Sequence, residues 1–523
     1  MQRARPEFVR LADAVEYWAR TQPSSAAYIH HDTTASYVDL EAEIDRLARA
    51  LLAVGVRRGD RVAMLSTPRP EYWACLIAAA SIGAVWVGLN PRYQLNELTH
   101  IARDSKPRLL IGINEFEGRD FTSNLEAVAR ESDAHCAVVC IGGEGDSWGA
   151  FLTAGEAVDD AQYKAARDAV TGDEPTVIVY TSGTTGVPKG ALLSQSGLCR
   201  RFSTSARHVH PRPLRLIANL PINHVGGLGE HGCLPLMAGG TLVFQERFSP
   251  EGVLEAIERH RLTVVLQVPT MLKALTEHPR FSTTDWSSVE LVIWGGGALP
   301  RDVLARFRSR GVTLKTMYGM TETAAAMTFS SDSPEDDVLI NSVGRPLPEL
   351  SLNLRGKDGN PTPDGEVGEV TVDNRGLWLG YFGNPEATAE ALTEDGLFRT
   401  GDLGRMREDG NLQLVGRLKE MFKSGGYNVY PREVELALEA HPAVRIAAVV
   451  GVPDPHFGEV GVGFVEVLDD DRSPERLLTW CRERLASYKV PKKLVVLEAF
   501  PLLPNGKVAR KVLQQTAGEE YAR

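Results

Sequence analysis

The stretch Thr176 to Ala191, Thr-Val-Ile-Val-Tyr-Thr-Ser-Gly-Thr-Thr-Gly-Val-Pro-Lys-Gly-Ala, constrains this chain more than any other. It opens as a β-branched run, Thr176 to Tyr180, which predicts a buried strand bounded by Pro175. The strand breaks into Thr181, Ser182, Gly183, Thr184, Thr185 and Gly186, followed by Val187, Pro188, Lys189 and Gly190. Glycine lets the backbone turn with positive φ and approach a ligand closely. Successive N–H groups and hydroxyls can then surround phosphate oxygens, and Lys189 adds a mobile positive charge. A Walker-type loop needs Gly-Lys followed by Ser or Thr at the start of a helix. Lys189 is followed by Gly190, Ala191 and Leu192, so that reading fails. A phosphate-binding turn of another kind is expected.

The rest of the chain bounds what such a loop can serve. At 523 residues it exceeds what one hydrophobic core usually supports, so two or more domains are expected. The formal net charge of -11 argues against a nucleic-acid partner but does not forbid a basic groove for an anionic ligand. Cys75, Cys136, Cys140, Cys199, Cys233 and Cys481 are scattered without a Cys-x-x-Cys pair, which speaks against structural zinc and a disulfide framework. No apolar run follows the N-terminal Met-Gln-Arg-Ala-Arg-Pro-Glu, and the most apolar span, Leu76 to Leu89, is too short for a membrane helix. A cytoplasmic location without an integral membrane segment is the expectation.

Read in order, the chain gives a strand at Asp60–Leu65, a helix at Glu71–Ile82 and a strand at Gly83–Val87. A helical span at Leu95–Asp104 and a strand at Arg108–Gly112 complete a βαβαβ pattern, the mark of a parallel sheet covered by helices. A similar order follows the glycine loop: strands at Leu214–Leu220, Gly239–Phe244 and Thr263–Val268, with a helix at Pro250–His260 before the last. The spacing from Gly83 to Leu109 resembles that from Gly239 to Val264, a weak sign of an internal repeat. From about Ser342, glycine, proline and short β-branched runs predict a small antiparallel β-region. The residues after Gly416 are numerous enough for a small domain of their own.

Met317-Tyr-Gly-Met-Thr-Glu-Thr323 follows a short strand at Thr313–Thr316. Tyr318 could cover an adenine face, Gly319 permits close approach, Thr321 could bind a phosphate, and Glu322 supplies a hard oxygen for Mg²⁺. Tyr180-Thr-Ser-Gly-Thr-Thr-Gly-Val-Pro-Lys-Gly190 resembles the signature loop of the adenylate-forming (AMP-binding) superfamily, and the Tyr318 segment resembles its second signature. Three further segments occur in that superfamily's order: Phe398-Arg-Thr-Gly-Asp-Leu403, Gly416-Arg-Leu-Lys-Glu-Met-Phe-Lys423 and Pro504-Asn-Gly-Lys507.

The resemblance covers nearly the whole chain and implies an ATP-dependent acyl-CoA synthetase. The implied fold is α/β, a large N-terminal domain (1–416) of α/β subdomains plus a β-barrel-like part. A hinge at 417–420 would join it to a small mobile α+β domain (421–523). By that resemblance Thr181 to Gly186 and Lys189 hold ATP phosphates. Tyr318 lies near the adenine with the run Gly295, Gly296, Gly297 and Ala298. Asp402 and Arg417 hold the ribose, Thr321 lies near the α-phosphate, and Glu322 binds the metal. Lys507 is the adenylation lysine and Lys419 the hinge. A positive charge at Lys507 would stabilise the crowded transition state of carboxylate attack on phosphorus, which needs no general base. Lys423, Gly425 and Gly426 would form the face used in the second step, the glycines giving room for the pantetheine arm.

The same resemblance sets His224 at the gate of an acyl pocket bordered by Asn223, Gln267, Gly295 and Gly296. Asn223 would hydrogen-bond either a polar acyl substituent or the backbone, and Trp294 would either shorten the pocket or face the core. The mostly small side chains, Gly226 and Gly227 among them, suit a medium or long fatty acid or an aryl acid better than acetate. ATP, Mg²⁺, coenzyme A and a carboxylic acid are the implied ligands, and a homodimer is a reasonable expectation from relatives. Two alternatives stand beside this reading: an enzyme that loads a carrier protein, and a non-catalytic adenylate-binding protein. The carrier alternative finds no Ser-bearing carrier motif in the chain, and the non-catalytic one is opposed by the presence of Lys507, Glu322 and the signature loop. Acylation of Lys507 would remove the charge that the first step needs.

Overall fold

Two parallel-stranded sheets wound in the same way carry most of the chain. The computed structural model describes residues 7–132, 136–143, 145–181, 188–211, 213–324, 326–363, 365–468, 473–503 and 506–522. In the first sheet the strand Arg61–Leu65 lies between the two strands that follow it, Val85–Leu89 and Leu109–Ile113, all parallel. In the second, Arg215–Ala218 lies between its own two successors, Thr241–Phe244 and Val264–Gln267, again all parallel. The weak repeat in the sequence is therefore a repeat of topology. Buried β-branched and aliphatic runs produce these central strands because both faces are covered. Val85–Leu89 and Leu109–Ile113 are buried at every position.

The first sheet has seven strands and ends with Pro175–Thr181, Lys189–Ser194 and Trp378–Tyr381, the last two joining antiparallel. Pro175 begins its strand rather than bounding it, a place where its missing N–H costs no ladder bond. The second sheet has nine strands and continues through Leu291–Trp294 and Thr313–Gly319 to the antiparallel strands Ala326–Phe329 and, at the edge, Arg345–Pro346. The expected helix Pro250–His260 forms with those bounds, with Pro250 in its first turn and Ser249 capping the Gly252 amide.

The glycine- and proline-rich stretch after Ser342 departs from the β-barrel-like expectation. Among the described residues it forms an open four-stranded antiparallel sheet, Leu352–Arg355, Gly368–Val372, Phe398–Met406 and Leu412–Arg417. Its two outer strands do not pair with each other, so the sheet does not close. Beyond Arg417 a separate sheet is built on Val444–Asp454 and Gly458–Val467, with Phe422–Ser424 and Lys493–Leu497 along the latter. It carries two hydrophobic clusters whose buried residues all lie at or beyond Phe422. No helix among the described residues is long and apolar enough to cross a membrane.

Trp294 ends its strand fully buried, in the cluster that contains Val265, Val292, Leu299 and Phe307. It faces the core, which settles the alternative left open by the sequence. Trp294→Ala should lower stability by about 3–5 kcal/mol through the cavity it leaves, read as a fall in the urea unfolding midpoint.

Candidate active site

Ligands of open α/β sheets bind beyond the carboxyl ends of the strands. The two signature motifs leave the two sheets at those ends. Thr181 and Lys189 close one strand and open the next as direct antiparallel partners. The Lys189 ammonium lies 5.4 Å from the centre of the Tyr381 ring, within cation–π reach. Ser182, Gly183, Thr184, Thr185 and Gly186 lie outside the described residues.

Tyr318 and Gly319 close the strand Thr313–Gly319, and Thr321 and Glu322 follow it. The Tyr318 hydroxyl donates to Asp402 Oδ2 at 2.6 Å, and Arg417 Nε donates to Asp402 Oδ1 at 2.9 Å. Asp402 and Arg417 are cross-strand partners, so the open sheet presents the carboxylate and guanidinium side by side to the aromatic ring. Glu322 is buried, and its carboxylate accepts the Tyr381 hydroxyl at 2.7 Å. Burial pushes the Glu322 carboxyl above its ordinary pKa, and the Tyr381 bond offsets part of that shift. A cation beside Glu322 would restore its ionised form, so the donor fits a hard metal ion. Tyr381 joins Lys189 to Glu322, a link the sequence reading missed because its Leu-Gly-Tyr context carries no motif.

The C-terminal tail enters this cleft. A Cβ placed on Gly296, whose φ is +83°, would stand only 3.2 Å from Lys507 Cε. The glycine run therefore gives the lysine its path, and only glycine tolerates both the backbone angle and the approach. Gly295 is close-packed in another direction, on Met317, while Gly296, Gly297 and Ala298 are open to the cleft. Burial lowers the Lys507 pKa, nearby Arg417 lowers it further, and Asp402 opposes both. Two cations thus crowd one carboxylate, an arrangement suited to an additional anion.

Two contacts hold the tail in place, and neither was visible in the sequence. Thr270, in the first turn of the helix Pro269–Glu277, donates its hydroxyl to the Gly506 carbonyl at 3.0 Å. Gly506 has φ +78°, and a Cβ there would meet Thr270 Oγ1 at 2.8 Å. An ionic cluster lies on the same interface. Arg445 contacts Glu277 at 2.9 Å, Asp302 at 3.1 Å and the buried Glu466 at 3.1 Å, while Lys273 also pairs with Glu466.

His224 follows the strand Arg215–Ala218 and is near enough to Lys507 to feel its charge. Burial first, and then Lys507, hold its pKa down at about 4, so the ring is neutral at physiological pH. Asn223 is buried and bonds side chains, not backbone. It donates to the Tyr93 hydroxyl at 2.8 Å and accepts from Asn90 at 3.2 Å. Gln267 donates to Asn219 at 2.8 Å, and its Oε1 is buried without a hydrogen-bond partner. The following π-helix, Gly226–Cys233, carries the buried Glu230, whose Oε2 is also unpartnered. Burial pushes the Glu230 carboxyl up to about 7.

Lys419, Lys423, Gly425 and Gly426 are exposed. The hairpin of Phe422–Ser424 and Tyr427–Val429 bonds Glu459 and Phe457 through the Lys423 and Gly425 amides. Its tip glycines both have positive φ, and Tyr427 beyond them stacks on Tyr488 with 4.6 Å between ring centres.

Comparison with known proteins matches residues 15–382 to the family described as AMP-binding enzyme, and residues 433–507 to the AMP-binding enzyme C-terminal domain. A feruloyl-CoA synthase from an Amycolatopsis species is 38% identical over 505 residues, 96% of this chain and 97% of its own. An indoleacetate–CoA ligase from Aromatoleum aromaticum is 34% identical, covering 97% of this chain and 98% of its own. The crystal structure of ATP-bound MatB from Rhodopseudomonas palustris superposes with a TM-score of 0.86 at 29% identity, over 98% of this chain and 99% of that one.

His224 and His231, the latter also held down at about 4 by burial, should remain neutral through the range in which an ordinary histidine titrates. Their ring resonances should stay fixed from about pH 8 to pH 5, and Lys507→Ala should raise the His224 pKa without restoring its ordinary value. Both pKa values are depressed in the folded state. Their contribution to stability is therefore present above the ordinary histidine pKa and lost as pH falls towards about 4.

Proposed function

The chain belongs to the AMP-binding enzyme family, the adenylate-forming superfamily of acyl- and aryl-CoA synthetases, and we propose that it converts an aryl-substituted carboxylic acid to its coenzyme A thioester. The observation that carries this reading is Lys507 seated against Gly296 beside Arg417 and Asp402. An ammonium among those groups is placed for a reaction in which two anions meet. The substrate carboxylate attacks the α-phosphorus of ATP, forming an O–P bond as the bond to pyrophosphate breaks. Lys507 offsets the charge that accumulates on the phosphoryl oxygens. Lys189 and Thr181 attend the phosphates, Tyr318 and the glycine run border the adenine, and Asp402 takes the ribose hydroxyls with Arg417 alongside. Glu322 is the carboxylate that would hold Mg²⁺, which neutralises phosphate charge when bound.

The second step exchanges one face of the small domain for another. The thiol of coenzyme A attacks the acyl carbonyl, its proton leaves, and AMP departs with the bonding pair. We assign that step to the hairpin of Lys423, Gly425 and Gly426, with rotation at Lys419 between the large unit 1–416 and the small unit 421–523. The exposed, glycine-tipped hairpin supports this division of labour. The names of the 38% and 34% identical relatives, a feruloyl- and an indoleacetate-activating enzyme, support a planar aryl acid. Gly227 and Gly295 pack against Pro221 and Met317 and lend no room to the ring, whereas Gly297 and Ala298 are open to the cleft.

Pyrophosphate release with ATP and Mg²⁺ should be measured across hydroxycinnamic, indolic, benzoic and fatty acids, with and without coenzyme A. Release with an aryl acid, followed by coenzyme-A-dependent thioester, is the expected result. Release that stalls after one turnover despite coenzyme A would replace the thiol acceptor by a carrier protein. No release with any acid would overturn the reading.

Lys507→Ala should slow acyl-adenylate formation about 100- to 1,000-fold, and Lys507→Gln, which mimics acylation, should do the same. Gly506→Ala should slow it about 5- to 30-fold, the equivalent of one left-handed alanine. All three should spare thioester formation from a supplied acyl-adenylate, whereas Gly425→Leu should show the opposite split.

A further inference from the structure

A second donor cluster lies at the edge of the nine-stranded sheet, outside the cleft. The strands Ala26–His30 and Thr33–Ser36 form a hairpin whose two-residue turn is His31-Asp32. Successive side chains in a strand point to opposite faces. His31, however, has φ +52°, a left-handed conformation that a non-glycine residue adopts only at a cost. The turn brings the His30 and His31 rings together, with 4.1 Å between centroids. Both face Glu246, which follows the neighbouring strand Thr241–Phe244. His30 Nε2 is 3.3 Å and His31 Nε2 3.9 Å from Glu246 Oε1.

We propose that His30, His31 and Glu246 form a binding site for a divalent transition-metal ion of the zinc class. One ligand atom from each residue lies within 4.8 Å of the other two. Ligands about 2.0–2.1 Å from a tetrahedral zinc are separated by about 3.3 Å, the length of the His30–Glu246 edge. The longer His31 edge closes by rotation of a side chain that is 76% exposed. His30 Nε2 is buried and, despite its distance from Glu246, is not aligned to hydrogen-bond any group. A metal would use that lone pair. Glu246 is already oriented: Thr67 donates its hydroxyl to Oε2 at 2.8 Å, leaving Oε1 towards the imidazoles. Such outer hydrogen bonds characteristically orient metal-binding carboxylates. Arg69 is the neighbouring charge that opposes a cation, and it is engaged by Glu71 through two bonds of 2.8 and 2.9 Å.

Two imidazoles and a carboxylate leave the fourth position to water. The ion would tie the hairpin to the end of the adjacent strand and, through Thr67, to the first sheet. Zn²⁺ titration of the tag-free full chain, followed by calorimetry, tests this, with Co²⁺ as a spectroscopic substitute. The expected results are one equivalent bound through this cluster, a tetrahedral Co²⁺ absorption band, and a higher unfolding temperature with Zn²⁺.

His31→Gly removes a ligand while supplying the residue that best tolerates the turn, so its fold should be retained. It should weaken Zn²⁺ binding at least about tenfold and abolish the Co²⁺ band, as should Glu246→Gln; Thr67→Val should weaken binding about tenfold. Glu322→Gln, which removes the active-site carboxylate, should leave the band intact. No Zn²⁺ binding, or binding and a Co²⁺ band unaltered in both His31→Gly and Glu246→Gln, would overturn the proposal.

Discussion

The active cleft rests on an imbalance of charge. Lys507 and Arg417 converge on Asp402, and each cation makes the other less comfortable: Arg417 helps lower the Lys507 pKa in a place where burial lowers it already. Like charges brought together are costly unless a counter-charge arrives. An anionic ligand supplies that counter-charge, so the arrangement is better matched to a reacting phosphate than to an empty cleft. The neutral His224 fits the same logic, since a third cation beside Lys507 would add to the repulsion.

Holding the ammonium there takes work from elsewhere in the chain. The Thr270–Gly506 bond positions the turn at short range, and the cluster around Arg445 and Glu466 holds the same interface at longer range. Glu466 is buried among cations of opposite sign from both sides of that interface. Such a pair is worth little as net stability once desolvation is counted, but it is strict about geometry. Its value lies in specifying one docked arrangement of the tail.

The sequence displays the groups proposed to touch ligand and hides those that position them. Lys507, Glu322 and Asp402, to which the proposed function gives the phosphate, the metal and the ribose, sit in short ordered motifs. The βαβαβ runs were readable because continuous apolar strands such as Leu109–Ile113 leave few alternatives to a covered parallel sheet. Tyr381, Thr270 and Arg445 carried no local signal. Each acts through a partner more than fifty residues away, and only the fold creates that proximity. Asn223 shows the converse. Its motif neighbourhood placed it beside a pocket, yet its amide serves Tyr93 and Asn90. The barrel-like expectation failed because short antiparallel runs separated by glycine suit open and closed sheets equally well, and closure depends on edge pairing, which composition does not specify.

The doubled winding of the two sheets has a consequence for how such a protein can change over time. The loop of Thr181 and Lys189 hangs from one copy, whereas His224, Gln267 and the glycine run hang from the other. In the proposed reading the phosphate loop and the acid pocket therefore belong to different scaffolds, which share one hydrophobic core, while Tyr318 and Glu322 bring further nucleotide-binding groups to the second. Substitutions that remodel the acid's surroundings can accumulate on one scaffold while the phosphate loop on the other stays as it is. An architecture of this kind lets a lineage diversify its choice of acid without reinventing its chemistry.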